Sequence, residues 1–114
     1  TKDALTIEYA AGQAYTLPAE YLRVYSPSAE VRGHGTGNET LQFGKRNVTI
    51  TSLVQAGNYA LQITFSDGHD SGIYGWDYLK ELGKTHEQKW SVYLQKIHQA
   101  GLSRDIDSQV IKLV

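Results

Sequence analysis

The chain has 114 residues, a formal net charge of −1 and no cysteine, so its length predicts a single domain over residues 1–114, and the missing thiols exclude disulfides, thiolate zinc sites and cysteine nucleophiles. Basic residues are spread along the sequence, which gives no field of one sign to attract nucleic acid or an anionic membrane. No apolar run approaches the roughly 20 residues that span a bilayer, and no apolar signal core opens the sequence, so we expect a cytoplasmic protein.

The N-terminal third of the chain predicts a hairpin followed by a short helix. Apolar residues alternate with polar ones on both sides of a glycine turn, at Leu5, Ile7, Tyr9, Tyr15 and Leu17. This two-residue period is typical of half-buried strands. Pro18 suits the first turn of a helix, which we predict over residues 19–24 and which Ser26-Pro27 ends. A polar, glycine-rich stretch over residues 32–38 then predicts a loop.

The middle of the chain predicts three more strands. One runs from Val48 to Val54, a second from Tyr59 to Phe65, and a short third contains Ile73 and Tyr74. Gly57-Asn58 joins the first two, and Asp67-Gly68 supplies the positive φ angles of a second tight turn.

From Gly75 onwards the apolar spacing becomes helical. Trp76, Leu79 and Leu82 belong to a first helix, for which Gly83 is a C′ cap. Thr85 with a glutamine three residues later predicts a capping box that opens a second helix. The apolar stripe of that helix is Trp90, Tyr93, Leu94 and Ile97, and Gly101 ends it. The predicted fold is therefore α+β, a mostly antiparallel sheet of hairpins with one short N-terminal helix and two C-terminal helices.

No catalytic constellation emerges from the sequence. His69 is followed directly by Asp70, and adjacent residues on a strand point to opposite faces, so the pair is not spaced to chelate iron. Ser71 completes the residue types of a hydrolase triad, but triad members normally come from separate segments. We predict no catalytic residue and no cofactor, and keep a hydrolase only as a remote alternative.

The segment over residues 67–79 is dense in polar and aromatic side chains. On one interpretation it is structural, with a turn followed by core residues and local hydrogen bonds. On the other, His69, Asp70 and Tyr74 form a polar and aromatic patch beside the sheet edge, a composition that is favoured for binding. The residues alone leave both open.

Two stretches closely resemble the gamma-butyrobetaine hydroxylase-like N-terminal domain family: YLRVYSPSAEVRGHG at residues 21–35 and GNYALQITFSDGHDSGIYGWDYL at residues 57–79. The resemblance covers about residues 4–104. It implies kinship with small bacterial proteins of uncharacterised function. In that family the domain is also fused to iron- and 2-oxoglutarate-dependent oxygenases and to P-loop scaffold proteins of iron–sulfur cluster assembly. Neither fusion partner lies within these 114 residues, so the resemblance implies neither activity.

The resemblance also bears on metal binding. Oxygenase-attached members hold a structural zinc through three cysteines and one histidine, and these positions fall on Ser26, Ser28, Val31 and His69 of this chain. Only His69 is a zinc ligand type, because hydroxyls and a valine cannot replace thiolates. We therefore predict no zinc, but we expect Ser26 and Ser28 to lie within ~10 Å of His69, held by hydrogen bonds or packing.

These inferences predict a non-catalytic binding or accessory module whose partner is another protein, with a link to iron–sulfur cluster or metalloenzyme assembly implied by the fusions alone. The candidate binding surface comprises Arg23, Ser26, Ser28, His34, His69, Asp70, Tyr74 and Trp76. The alternative is a small-ligand or metal-ion binder that uses His34, His69 and Asp70. A sheet-edge strand, such as the one ending at Leu17, could pair with a second copy, so a homo-oligomer also stays open.

Overall fold

A computed structural model describes residues 2–33, 39–106, 111 and 113. The elements in chain order are β1 (Ala4–Glu8), β2 (Ala14–Pro18), α1 (Ala19–Val24), α2 (Ala29–Arg32), β3 (Ile50–Ala56), β4 (Ala60–Phe65), β5 (Ile73–Gly75), α3 (Trp76–Lys84) and α4 (His86–Gln99). The predicted α+β fold with antiparallel strands and C-terminal helices is confirmed. Within the described part of the chain, no helix has the length and apolarity to cross a bilayer.

The strands form two antiparallel sheets rather than one. β1 pairs with β2 in a hairpin, and β3, β4 and β5 form a three-stranded sheet in that order. A single bridge between Lys2 and Ile50 joins the N-terminus to the edge of the larger sheet. Both predicted turns in that sheet are confirmed, since Gly57 and Gly68 have φ angles of +60° and +89° that L-residues rarely adopt.

The core forms around α1, whose six residues are all buried. Tyr21 and Leu22 have no exposed surface, and they pack with side chains from β4 and α3. Two charged residues of α1 are buried because each has an ionic partner. Glu20 accepts two hydrogen bonds from the Arg104 guanidinium, at 2.7 and 2.6 Å, and Arg23 pairs with a carboxylate described below.

Two predicted caps are wrong. Gly83 lies inside α3, and a Cβ there would stand 2.4 Å from the ring of Tyr15. Glycine is therefore needed for close packing of α3 against β2. Thr85 separates the two consecutive helices, and its hydroxyl donates to the carbonyl of Glu81 at 2.7 Å instead of capping α4, because a threonine side chain can bond backward to the i−4 carbonyl. Gly101 follows the end of α4 with φ +69°, as expected.

Candidate functional site

A buried polar cluster joins the segment after α1 to the turn after β4. The Oγ atom of Ser26 lies 2.8 Å from Nε2 of His69, and the Oγ atom of Ser28 lies 3.4 Å from the same nitrogen. The two hydroxyl oxygens are 3.2 Å apart. The expected proximity of the two serines to the histidine is confirmed, and we call Ser26, Ser28 and His69 the serine–histidine cluster.

Local turn geometry places His69 in this cluster. The N–H of Phe65 donates to the carbonyl of His69 at 2.9 Å, and the N–H of His69 donates to Oδ1 of Asp67 at 3.1 Å. On the opposite side, a Cβ at Gly72 would lie 2.6 Å from the Ser26 hydroxyl. Only glycine therefore lets the chain after the turn pass so close to the cluster.

The imidazole of His69 is inside the protein and has neighbours at both ring nitrogens. Only 7% of the residue is exposed, and Nδ1 lies 3.6 Å from a carboxylate oxygen of Glu30. Burial is the largest influence and lowers the pKa of His69, and Arg23 lowers it further, while Glu30 and Asp67 oppose the shift. The imidazole is therefore buried and has polar neighbours at both ring nitrogens, with its charged form disfavoured by burial.

Asp67 lies beside this cluster and pairs with two cations. One carboxylate oxygen accepts from Nε of Arg23 at 2.8 Å and from Nζ of Lys45 at 2.6 Å. Burial alone would raise the pKa of Asp67, but the hydrogen bonds from Lys45, the His69 N–H and Arg23 outweigh it and hold the pKa at about 2. One guanidinium nitrogen of Arg23, Nη1, is buried and has no hydrogen-bond partner in the described part.

The other residues predicted from the sequence do not form one exposed patch. The expectation of an exposed Tyr74 is wrong, because the inward face of β5 buries the ring completely and its hydroxyl donates to the Leu22 carbonyl at 2.5 Å. Trp76 is half-buried, and its indole N–H donates to the Asn58 carbonyl at 2.9 Å. Asp70 is exposed.

His34 and most of the predicted glycine loop lie outside the described residues. Across residues 2–33 and 39–106, no three His, Asp or Glu side chains converge to hold a metal ion. The alternative metal site combines His34 with His69 and Asp70, and because His34 lies outside the described residues, that site stays a prediction.

An open groove of about 850 Å³ lies next to the serine–histidine cluster, and Ser26 contributes to its wall. We call it the α2–α4 groove, because Val31 and Arg32 of α2 and Lys96 and Gln99 of α4 are among the residues that line it. Sequence reasoning missed this groove. Its lining comes from five separated segments of the chain, and no local pattern signals their convergence.

The lining of the α2–α4 groove includes an aromatic group. Three tyrosines line the groove, and each hydroxyl donates to a backbone carbonyl: Tyr25 to Lys89 at 2.6 Å, Tyr78 to Tyr25 at 2.6 Å and Tyr93 to Gln42 at 2.8 Å. Burial raises the pKa of all three phenols, that of Tyr93 to about 12. The hydroxyls are thus engaged inside the fold, and the rings contribute apolar surface to the lining of the groove.

Comparison with known proteins gives a consistent result. The family described as "Gamma-butyrobetaine hydroxylase-like, N-terminal" matches residues 1–80. One NMR solution structure is 52% identical over 97% of this chain and 87% of its own, with a TM-score of 0.82. A second is 42% identical over 99% and 82%, with a TM-score of 0.77. A crystal structure of a DUF971-family protein with unknown function from Acidithiobacillus ferrooxidans is 34% identical over 71% and 80%, with a TM-score of 0.59. No curated protein matches.

Proposed function

The chain belongs to the gamma-butyrobetaine hydroxylase-like N-terminal family, and from this premise we propose that it is a non-catalytic module that binds another protein through the α2–α4 groove. The observation that carries the proposal is the groove itself, an open concave surface with three tyrosines in its lining. Concave surfaces of this composition are favoured for binding, and tyrosine is enriched in protein interfaces.

The polar chemistry of the molecule supports a binding role over a catalytic one. The histidine that could act as a base is buried, and its ring nitrogens lie beside Ser26, Ser28 and Glu30. The serine hydroxyls that this base could activate are buried as well, with 1% of Ser26 and 4% of Ser28 exposed, whereas a nucleophile has to reach a bound substrate. We therefore assign the serine–histidine cluster a structural role. It fixes the segment between α1 and α2, which contributes to the lining of the groove.

The resemblance to fused family members extends this proposal in one direction. Domains of this kind occur on iron–sulfur cluster assembly scaffolds and on iron-dependent oxygenases, so we propose an accessory role in the assembly of such metalloproteins. This part rests on the fusions and not on a contact in this structure.

A steric block of the groove tests the binding proposal. Thr40 is exposed and lines the groove, so Thr40→Trp would fill it without changing any charge. Thr51→Trp is the matched control, because Thr51 is exposed on β3 and strands tolerate tryptophan. Each tagged protein is crosslinked in its native cytosol, and captured proteins are identified by mass spectrometry. We expect Thr40→Trp, and not Thr51→Trp, to lose specific partners. Identical captures by both variants and the wild type would contradict the proposal.

A further inference from the structure

We propose that the occupant of the α2–α4 groove is an extended acidic segment of a partner protein, with apolar side chains between its carboxylates. The inference rests on the proposed function and adds the chemistry of the partner. Three features of the groove carry it: two cations that form no salt bridge among the described residues, two backbone N–H groups that no described hydrogen bond uses, and three lining tyrosines.

The charges around the groove favour an acidic ligand. Arg32 and Lys96 are both exposed and both line the groove. The Arg32 guanidinium lies over the Tyr78 ring, 4.8 Å from its centroid. Among the described residues, neither cation forms a salt bridge. Glu39, a carboxylate in the groove wall, is engaged in an interaction of its own. Two exposed cations in the lining of the groove select carboxylates on the ligand.

The backbone of one wall favours a peptide over a small molecule. The segment from Thr40 to Phe43 belongs to no helix or strand. Its N–H at Thr40 donates to the Val31 carbonyl at 2.7 Å, but in the described part no hydrogen bond uses the N–H groups of Leu41 and Gln42. Unpaired backbone donors beside a groove can bind the main chain of an extended peptide, as in strand addition.

The tyrosine rings that line the groove determine which side chains lie between the carboxylates of the ligand. An extended peptide directs successive side chains to opposite sides, so alternate residues can face the rings of Tyr25 and Tyr78. Apolar side chains at these positions would bury against the rings, while the intervening carboxylates reach the two cations. A ligand of alternating acidic and apolar residues matches both features at once.

Short labelled peptides test the inference directly. The probes are fluorescein-labelled, acetylated hexapeptides of alternating aspartate and leucine, alternating lysine and leucine, and alternating serine and leucine, followed by fluorescence anisotropy. We expect saturable binding of the aspartate peptide that weakens as salt is raised. The double variant Arg32→Glu/Lys96→Glu should bind the aspartate peptide roughly tenfold more weakly, as expected when two partly exposed charge pairs turn repulsive, and should bind the lysine peptide better than the wild type does.

A matched control separates a local effect from one of net charge. Lys84 occupies the last turn of α3 as Lys96 does that of α4, and both are exposed. Lys84→Glu and Lys96→Glu change the net charge equally, so Lys96→Glu should weaken binding of the aspartate peptide and Lys84→Glu should leave it unchanged. Thermal melts of all variants check folding, and Arg32→Gln/Lys96→Gln replaces the glutamate pair if that pair unfolds.

The outcomes distinguish this inference from the proposed function. If the serine and aspartate peptides bind equally, or if no peptide binds while Thr40→Trp still loses its captured partners, the acidic ligand is wrong and the protein-binding groove stands. If no peptide binds and Thr40→Trp captures the same proteins as the wild type, both are wrong.

Discussion

The substitution Asp67→Asn removes the negative charge that pairs with the buried Arg23 of α1, and it keeps the shape of the side chain. Its carboxylate pairs with Arg23, of which 9% of the side chain is exposed, and with Lys45. The residue lies on an exposed turn, but only 22% of its own side chain is accessible. Neutralising it would leave the Arg23 guanidinium buried without a counter-ion, which is a costly arrangement.

The expected magnitude follows from the pKa of Asp67, which the fold lowers from 3.8 to about 2. A shift of this size corresponds to about 2.4 kcal/mol of stability at neutral pH, at 1.36 kcal/mol per pKa unit. Solvent screening at the turn reduces the effect, so we expect Asp67→Asn to lower the free energy of unfolding by about 1.5 kcal/mol at pH 7.

The sign of the pH dependence makes this prediction specific. Folding lowers the pKa of Asp67, so its contribution to the free energy of unfolding is fully present above the unfolded value of 3.8. This contribution is lost as pH falls through about 2. Urea unfolding followed by the fluorescence of Trp76 and Trp90 at pH 2, 4 and 7 measures it. The variant and the wild type should differ at pH 4 and 7 and converge at pH 2. A difference that persists unchanged at pH 2 would refute the electrostatic reasoning. Asp70→Asn, an exposed carboxylate near the same turn, is the control and should change little.

Three further predictions concern the cluster and α3. Burial lowers the pKa of His69, so the stability of the wild type should be constant above about pH 6.5 and fall below it. His69→Gln should flatten that part of the pH profile in the same urea assay. An unchanged profile would contradict the burial of a histidine with a lowered pKa. Gly83→Ala should lower the free energy of unfolding by about 2 kcal/mol or more, because its Cβ would meet the Tyr15 ring at 2.4 Å. Each kcal/mol should lower the melting temperature by ~4 °C. A melting temperature within 1–2 °C of the wild type would show that α3 moves away from Tyr15 at little cost. The double variant Ser26→Cys/Ser28→Cys should bind one zinc ion per chain, since both Oγ atoms lie within 3.4 Å of His69 Nε2. Elemental analysis of the purified variant measures the zinc. A metal-free variant would show that the cluster cannot open enough for an ion.

Sequence reasoning was most accurate where a signal is local. The helix after Pro18 begins and ends where the proline rules place it, at Ala19 and Val24. The turns at Gly57 and Gly68 follow from glycine's access to positive φ. The same local reasoning failed at Gly83 and Thr85, where packing between α3 and β2 and a backward hydrogen bond replaced the expected caps.

The candidate site was only partly predictable. The proximity of Ser26 and Ser28 to His69 came from the family resemblance, because the residues are more than 40 positions apart and share no periodic pattern. Their burial, and that of Tyr74, depended on how α1 packs into the core. That packing turned an expected binding surface into a buried polar cluster.

By itself the sequence determined the α+β class, the hairpin turns, the extent of the first helix and the absence of thiol chemistry, because each depends on residues that are neighbours along the chain. Only the tertiary structure decided which histidine is buried, which charges are paired and where a groove opens between α2 and α4. Those features arise from side chains that are distant in sequence, and their energies depend on burial and separation, which periodicity and composition do not encode.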